Sequence, residues 1–258
     1  MEYHHLNYSC EAVDYASSYG RIDVLEWFLN LSIRNRSYKF KYSEYAINSA
    51  ADRGHVDVLE WFYNLSYQSL QYLHYLNMKE MEDTARLTTN AIPIIPITKL
   101  SIDCGFEPLK FIYSKNTIDY ASSNGRINTL DWWWSHRSNL KFEYSKVDIA
   151  ACKRHFDVLD WYFDKYQNYS EFKFKYTSKL VDYASIKLLD WLFDRSTYKN
   201  SEKYAKKIKF KYTEEAMFYT IMESRLHIID WYLDKHATYG LPFKFDEDIV
   251  THLSYLDD

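Results

Sequence analysis

Six tryptophans, Trp27, Trp61, Trp132, Trp161, Trp191 and Trp231, close the same short run of residues, and that recurrence limits the fold more than any other feature of the chain. The run is clearest in YSCEAVDYASSYGRIDVLEWF (8–28), YSEYAINSAADRGHVDVLEWF (42–62), TIDYASSNGRINTLDWW (117–133) and YSKVDIAACKRHFDVLDWY (144–162). Two further copies carry defects. YTSKLVDYASIKLLDWL (176–192) lacks the turn residues, and YTEEAMFYTIMESRLHIIDWY (212–232) has Ser224 where Gly would stand. Phe111, in LKFIY, reads as a weaker seventh member of the series. Repetition of this kind implies a linear array of like units joined by connections of variable length.

Each unit reads as two helices. The first opens with Tyr-Ser or Tyr-Thr, so Ser9, Ser43, Ser145, Thr177 and Thr213 are expected to accept from free first-turn amides, with Glu44 and Glu214 favouring the positive helix end. Gly20, Gly54, Gly105 and Gly125 stand where that helix ends, as a left-handed terminus and tight turn require; Gly240 is the exception. The second helix, as in VDVLEWFYNL (56–65), is apolar on most of its circumference and suits an inner layer between neighbours. Its tryptophan is expected to hold adjacent units together, since truncating a buried indole to Ala costs about 3–5 kcal/mol.

A third element lies between the helix pairs: YKFKY (38–42), LKFEY (140–144), FKFKY (172–176), IKFKY (208–212) and FKF (243–245). Alternation with period two indicates extended chain, aromatics on one side and lysines on the other. These connectors are expected in projecting hairpins or loops.

Composition agrees with helices. The 258 residues include only 5 Gly and 4 Pro, too few for a turn-rich sandwich, while 8 Trp, 26 Tyr and 15 Phe exclude a disordered chain. The net charge of -4 gives no global attraction to a polyanion. A basic start followed by an apolar run is missing, as is any apolar stretch of membrane-spanning length, so neither standard export nor a membrane partner is expected. Cys10, Cys104 and Cys152 match neither a zinc nor a redox spacing and fit a reducing, cytoplasmic compartment.

A helix pair closed by a Gly turn, with extended connectors and the run ADRGHVDVLEWF, resembles the ankyrin repeat; Gly54 to Leu59 matches that family's second-helix opening most specifically. The aromatic-rich style is similar to ankyrin proteins encoded by large DNA viruses of amoebae. The resemblance spans nearly the whole chain and implies an all-α, ankyrin-like helical-hairpin solenoid with short extended connectors. It implies one array over 1–258, with units near 8–35, 42–67, 93–114 (degenerate, after an insertion 68–92), 115–139, 142–170, 174–200 and 210–240, and a half-unit cap 241–258. The family's Thr-Pro-Leu-His-x-Ala signature is absent. Its Leu site holds Val13, Ile47, Ile118, Val147, Val181 and Met217, and its His site Asp14, Asn48, Asp119, Asp148, Asp182 and Phe218. A short polar residue there is expected to bond backbone between units in place of the imidazole.

Residues 66–116 match worst. SLQYLHYLNMKEMEDTARL (69–87) reads as a helix, and Pro93, Pro96 and Pro108 interrupt regular helix in the stretch after it.

Chemistry is sparse. Asp57 with Glu60, or Asp157 with Asp160, mimics a carboxylate dyad, but the acids recur at Asp23, Glu26, Asp131 and Asp190, so they read as a solvated helix face. His55 and His155 share a position with Arg21, Arg126 and Arg225, which favours a polar turn contact over metal ligation. Phosphate loops, nucleophile elbows and zinc motifs are missing, and no catalytic residue, metal or cofactor is assigned. Stacking would align Lys39, Lys41, Lys141, Lys173, Lys175, Lys209 and Lys211 into a stripe. With interleaved rings, that stripe suggests single-strand nucleic-acid binding; with rings turned inward it only keeps the connectors soluble. The ankyrin resemblance implies a monomeric, non-enzymatic scaffold for a protein partner, a host protein if the chain is viral. Nucleic-acid binding along the stripe is the alternative.

Overall fold

The computed structural model describes residues 8–35, 37–68, 109–198 and 202–244. Among them lie twelve α-helices and no strand, so the fold class is all-α. The chain divides into two compact units, Met1–Tyr144 and Ser145–Asp258.

Among the described residues the first unit has three helical hairpins: α1 (Cys10–Ser18) with α2 (Ile22–Arg34), α3 (Glu44–Arg53) with α4 (Val56–Tyr63), and α5 (Thr117–Ser123) with α6 (Ile127–Ser135). A π-helical turn, Asn64–Gln68, continues α4. First helices lie on first helices, α1 on α3 and α3 on α5, while α2 meets α4 and α4 meets α6. The second unit repeats the plan with α7 (Asp148–Cys152) and α8 (Phe156–Asn168), α9 (Ser178–Asp182) and α10 (Ile186–Asp194), and α11 (Glu215–Met222) and α12 (Leu226–Tyr239). There α7 meets α9 and α9 meets α11. The apolar first-helix position, Val13, Ile47, Ile118, Val147, Val181 and Met217, is buried in every hairpin.

The hairpin near 42–67 packs directly on the one near 115–139, α3 lying on α5. Of the expected degenerate unit 93–114, residues 93–108 lie outside the described residues. The described end of that segment, 109–114, is extended connector: LKFIY is the counterpart of LKFEY and IKFKY, with Ile112 in place of the second lysine. Phe111 is accordingly a connector ring, not a member of the tryptophan series. Its ring lies 5.9 Å from that of Trp132, as Phe40 lies 6.0 Å from Trp61, Phe174 5.9 Å from Trp191 and Phe210 6.0 Å from Trp231. The predicted helix 69–87, the prolines at 93, 96 and 108, Cys104, Gly105 and the cap from 245 onward lie outside the described residues.

Glycine closes three first helices because the chain there turns left-handed: φ is 66° at Gly20, 85° at Gly54 and 67° at Gly125. The next residue's amide then reaches back to the closing turn of the helix, as in Arg21 N–H to the Ala16 carbonyl (2.9 Å) and His55 N–H to that of Ala50 (2.8 Å), which satisfies carbonyls left open at the helix end. Gly240, at φ 66°, performs the same service at the end of α12. Two hairpins make this turn without glycine, at Arg154 (φ 62°) and Ser224 (φ 53°). A side chain is strained in that region. Arg154→Gly and Ser224→Gly should therefore each stabilise the protein by about 0.5–1 kcal/mol, whereas Gly54→Ala should destabilise it, its new Cβ lying 3.2 Å from Arg126 Cδ. Urea unfolding of the three variants checks both signs.

Candidate interaction surface

The joints between hairpins use up most of the polar groups that might otherwise look catalytic. The carboxylate of Asp14 accepts from the Ser43 amide (2.9 Å) and hydroxyl (2.6 Å) at the start of the next first helix. Asp182 accepts from the Thr213 amide (2.8 Å) and hydroxyl (3.0 Å), and Asp148 from both groups of Thr177. Asn48 does the same with its amide oxygen, toward the Ser114 amide (3.0 Å) and the Thr117 hydroxyl (2.5 Å). These contacts correct the reading of the helix-start hydroxyls as simple caps. Ser43 and Thr213 do accept, from the Tyr45 amide (3.1 Å) and the Glu215 amide (3.3 Å), but Ser9 and Thr177 make no side-chain cap, and α7 starts beyond Ser145.

The acids beside the tryptophans are likewise more than a solvated face. Trp132 Nε1 donates to Glu60 (2.6 Å), Trp191 Nε1 to Asp160 (2.9 Å) and Trp231 Nε1 to Asp190 (2.6 Å), each time reaching the preceding hairpin. Trp132, Trp161, Trp191 and Trp231 are buried, Trp61 is half-buried, and Trp27, on the first hairpin, is 46% exposed. Asp23, Asp57 and Asp157 remain at the surface. His55 Nε2 meets the Ser18 carbonyl at 3.1 Å, and Arg126 and Arg225 bond the Asp52 and Ala184 carbonyls, so the position after the turn makes polar turn contacts. Among the described residues no cluster of His, Cys, Asp and Glu could hold a metal.

The connectors lie side by side through their tyrosines. The Tyr42 hydroxyl donates to the Lys110 carbonyl, Tyr113 accepts from the Lys141 amide (3.2 Å), and Tyr176 donates to the Lys209 carbonyl. Burial pushes Tyr42 and Tyr212 up to about 12 and raises Tyr176 and Tyr232 as well, so these phenols stay protonated and none serves as a base near neutrality. Lys39, Lys41, Lys141, Lys173, Lys175, Lys209 and Lys211 all face solvent, while Phe40, Phe111, Phe174 and Phe210 turn onto the tryptophans. Lys141 pairs with Glu143.

Beyond the joints, each unit exposes tyrosines on its first helices that the repeat pattern alone does not single out. Tyr15, Tyr120 and Tyr183 come directly after the buried acid of their first helices and are 57%, 44% and 46% exposed. One residue advances a helix by about 100°, so a residue next to an inward acid faces out. Tyr15 lies edge-on to exposed Tyr45 at 6.5 Å, and Arg53 covers the Tyr19 ring at 4.8 Å. In the second unit Tyr183 stands 4.3 Å from Tyr219; a hydrogen bond to Tyr219 is the main cause of its raised pKa. The sequence signal for these tyrosines is the recurrent dipeptide in VDYAS and IDYAS.

Two concavities are also open: one of about 150 Å³ near Tyr113, Thr117 and Trp133, and one of about 400 Å³ near Asp190, Trp191 and Tyr239. No helix among the described residues is long and apolar enough to cross a membrane. No family model matches this chain, and comparison with curated proteins and with solved structures gives no match either.

The buried acids supply a stability test. Asp182→Ala strands the Thr213 amide and should cost about 1–3 kcal/mol, whereas Asp182→Asn keeps an acceptor and should cost less. Burial raises the Asp182 pKa, so the folded state takes up the proton first and this residue's contribution to stability rises as pH falls toward the carboxylate range. Thermal unfolding at acidic and neutral pH should show the gap between wild type and Asp182→Asn changing with pH.

Proposed function

We propose that the chain is a non-enzymatic, ankyrin-like repeat scaffold that binds a protein through the tyrosine face of its first helices. The solenoid reading is supported by what each compact unit repeats: hairpins closed by a left-handed turn, first helix on first helix, and the same acid-to-hydroxyl and indole-to-acid bonds from one hairpin to the next. Such arrays bind through extended surfaces and do not need a pocket.

The observation that carries the binding reading is the exposure of Tyr15, Tyr19, Tyr45, Tyr120 and Tyr183 on one helix class. Tyrosine gives large contact area at low entropic cost and keeps a hydroxyl for hydrogen bonding, which makes it a frequent anchor of protein interfaces. The nucleic-acid alternative is weaker, because the rings between the connector lysines lie against the helices and offer bases nothing to stack on.

Affinity capture tests this with wild type, a Tyr15→Ala/Tyr45→Ala/Tyr120→Ala variant and a Tyr183→Ala/Tyr219→Ala variant. Removal of interface anchors costs about 2 kcal/mol each, so loss of a stoichiometric protein from at least one variant is expected. Unchanged melting temperatures would show that the folds survive. Full retention by both variants would rule out this face.

A further inference from the structure

We infer that the connector lysines of the second compact unit, Lys173, Lys175, Lys209 and Lys211, hold an extended acidic segment of the protein partner. This rests on the scaffold reading above and adds the partner's chemistry. In the second unit two neighbouring connectors both read Lys-Phe-Lys, and the Tyr176 hydroxyl bonded to the Lys209 carbonyl sets them side by side. All four lysines are exposed. Lys209 and Lys211 have no ion pair among the described residues, Lys211 lying instead 5.2 Å from the Tyr176 ring centroid. The third connector contributes less, because Lys244 is half-buried and spends its ammonium on the Tyr212 carbonyl (2.6 Å).

The first unit lacks this arrangement. Only 38–42 carries the double lysine there; its neighbour has Ile112 in the second place, and the next connector neutralises Lys141 with Glu143. Two adjoining connectors with the full Lys-Phe-Lys pattern thus occur in the second unit and not in the first. Lysines two apart on extended chain repeat at about 6.8 Å, which is also the repeat of alternate side chains on an extended peptide. Alternate carboxylates on such a peptide can therefore meet successive lysines. Carboxylates need only the cations, whereas a single-stranded nucleic acid also needs exposed rings, and Phe174 and Phe210 are turned onto Trp191 and Trp231.

The test is fluorescence anisotropy of the full chain at low salt with a labelled, alternating Glu-Ser peptide of about a dozen residues, beside an oligothymidylate of similar length. Wild type should bind the peptide, with affinity falling as salt screens the charges. Lys209→Glu/Lys211→Glu should weaken it by about tenfold or more, and Lys39→Glu/Lys41→Glu in the first unit by no more than about twofold. Lack of peptide binding by wild type, equal loss from the two variants, or tighter binding of the oligothymidylate would each overturn the inference. The scaffold reading is tested separately: if the tyrosine variants lose their captured protein while the lysine reversals keep it, the ridge falls and the scaffold stands.

Discussion

A buried carboxylate must have its lone pairs filled, because an unpaired charge away from water is among the costliest things a fold can contain. In this protein that requirement ties one hairpin to the next. Asp14 and Asp182 are almost fully buried on their first helices, where their own helix has no amide to spare. The donors come from the next hairpin along the chain, whose first helix begins with an amide and a hydroxyl that no turn precedes to satisfy. Each partner supplies what the other lacks, so the bond fixes both spacing and register. The tryptophan joint on the second helices works in the same direction, since the indole N–H needs an acceptor and finds the acid of the hairpin before it. A cation four residues after the tryptophan can complete that joint, as when Arg195 covers the Trp191 ring at 4.1 Å and pairs with Asp160 at 2.9 Å.

The helix class, the hairpin and its turn were legible in the sequence because they rest on local chemistry. Apolar spacing, a glycine at a left-handed terminus and a hydroxyl at a helix start can each be read within a window of a dozen residues. The misreadings all concern contacts between hairpins. Ser43 and Thr213 do accept from first-turn amides as expected, but a hydroxyl also donates, and only the neighbouring hairpin reveals that second role. Glu60 and Asp160 do keep much of their surface in water, as expected, but the indole each accepts from belongs to another hairpin and leaves no mark within their own helix. Phe111 was assigned to the tryptophan series because Ile112 broke the lysine alternation that marks a connector, and the packing of α3 on α5 was needed to place it. Arg154 in the turn was hidden for the opposite reason: a residue that tolerates the left-handed region poorly is not expected there.

Tyrosine serves two purposes in this chain, and comparing them bears on function. At the connector ends the fold demands it. The ring fills the space beside the second helix and the hydroxyl reaches the next connector's backbone, as at Tyr42, Tyr113 and Tyr176, so replacement would leave both a void and an unpaired backbone group. After the buried acid the fold makes no such demand. Ile149, also exposed, occupies that place in one hairpin, whose joint through Asp148 forms as it does elsewhere. A large ring left in water at a position where isoleucine also serves gains little from burial or bonding within the protein. The gain then has to come from a surface that covers it, and rings on successive first helices, with Tyr15 and Tyr45 already in edge contact, would be covered together.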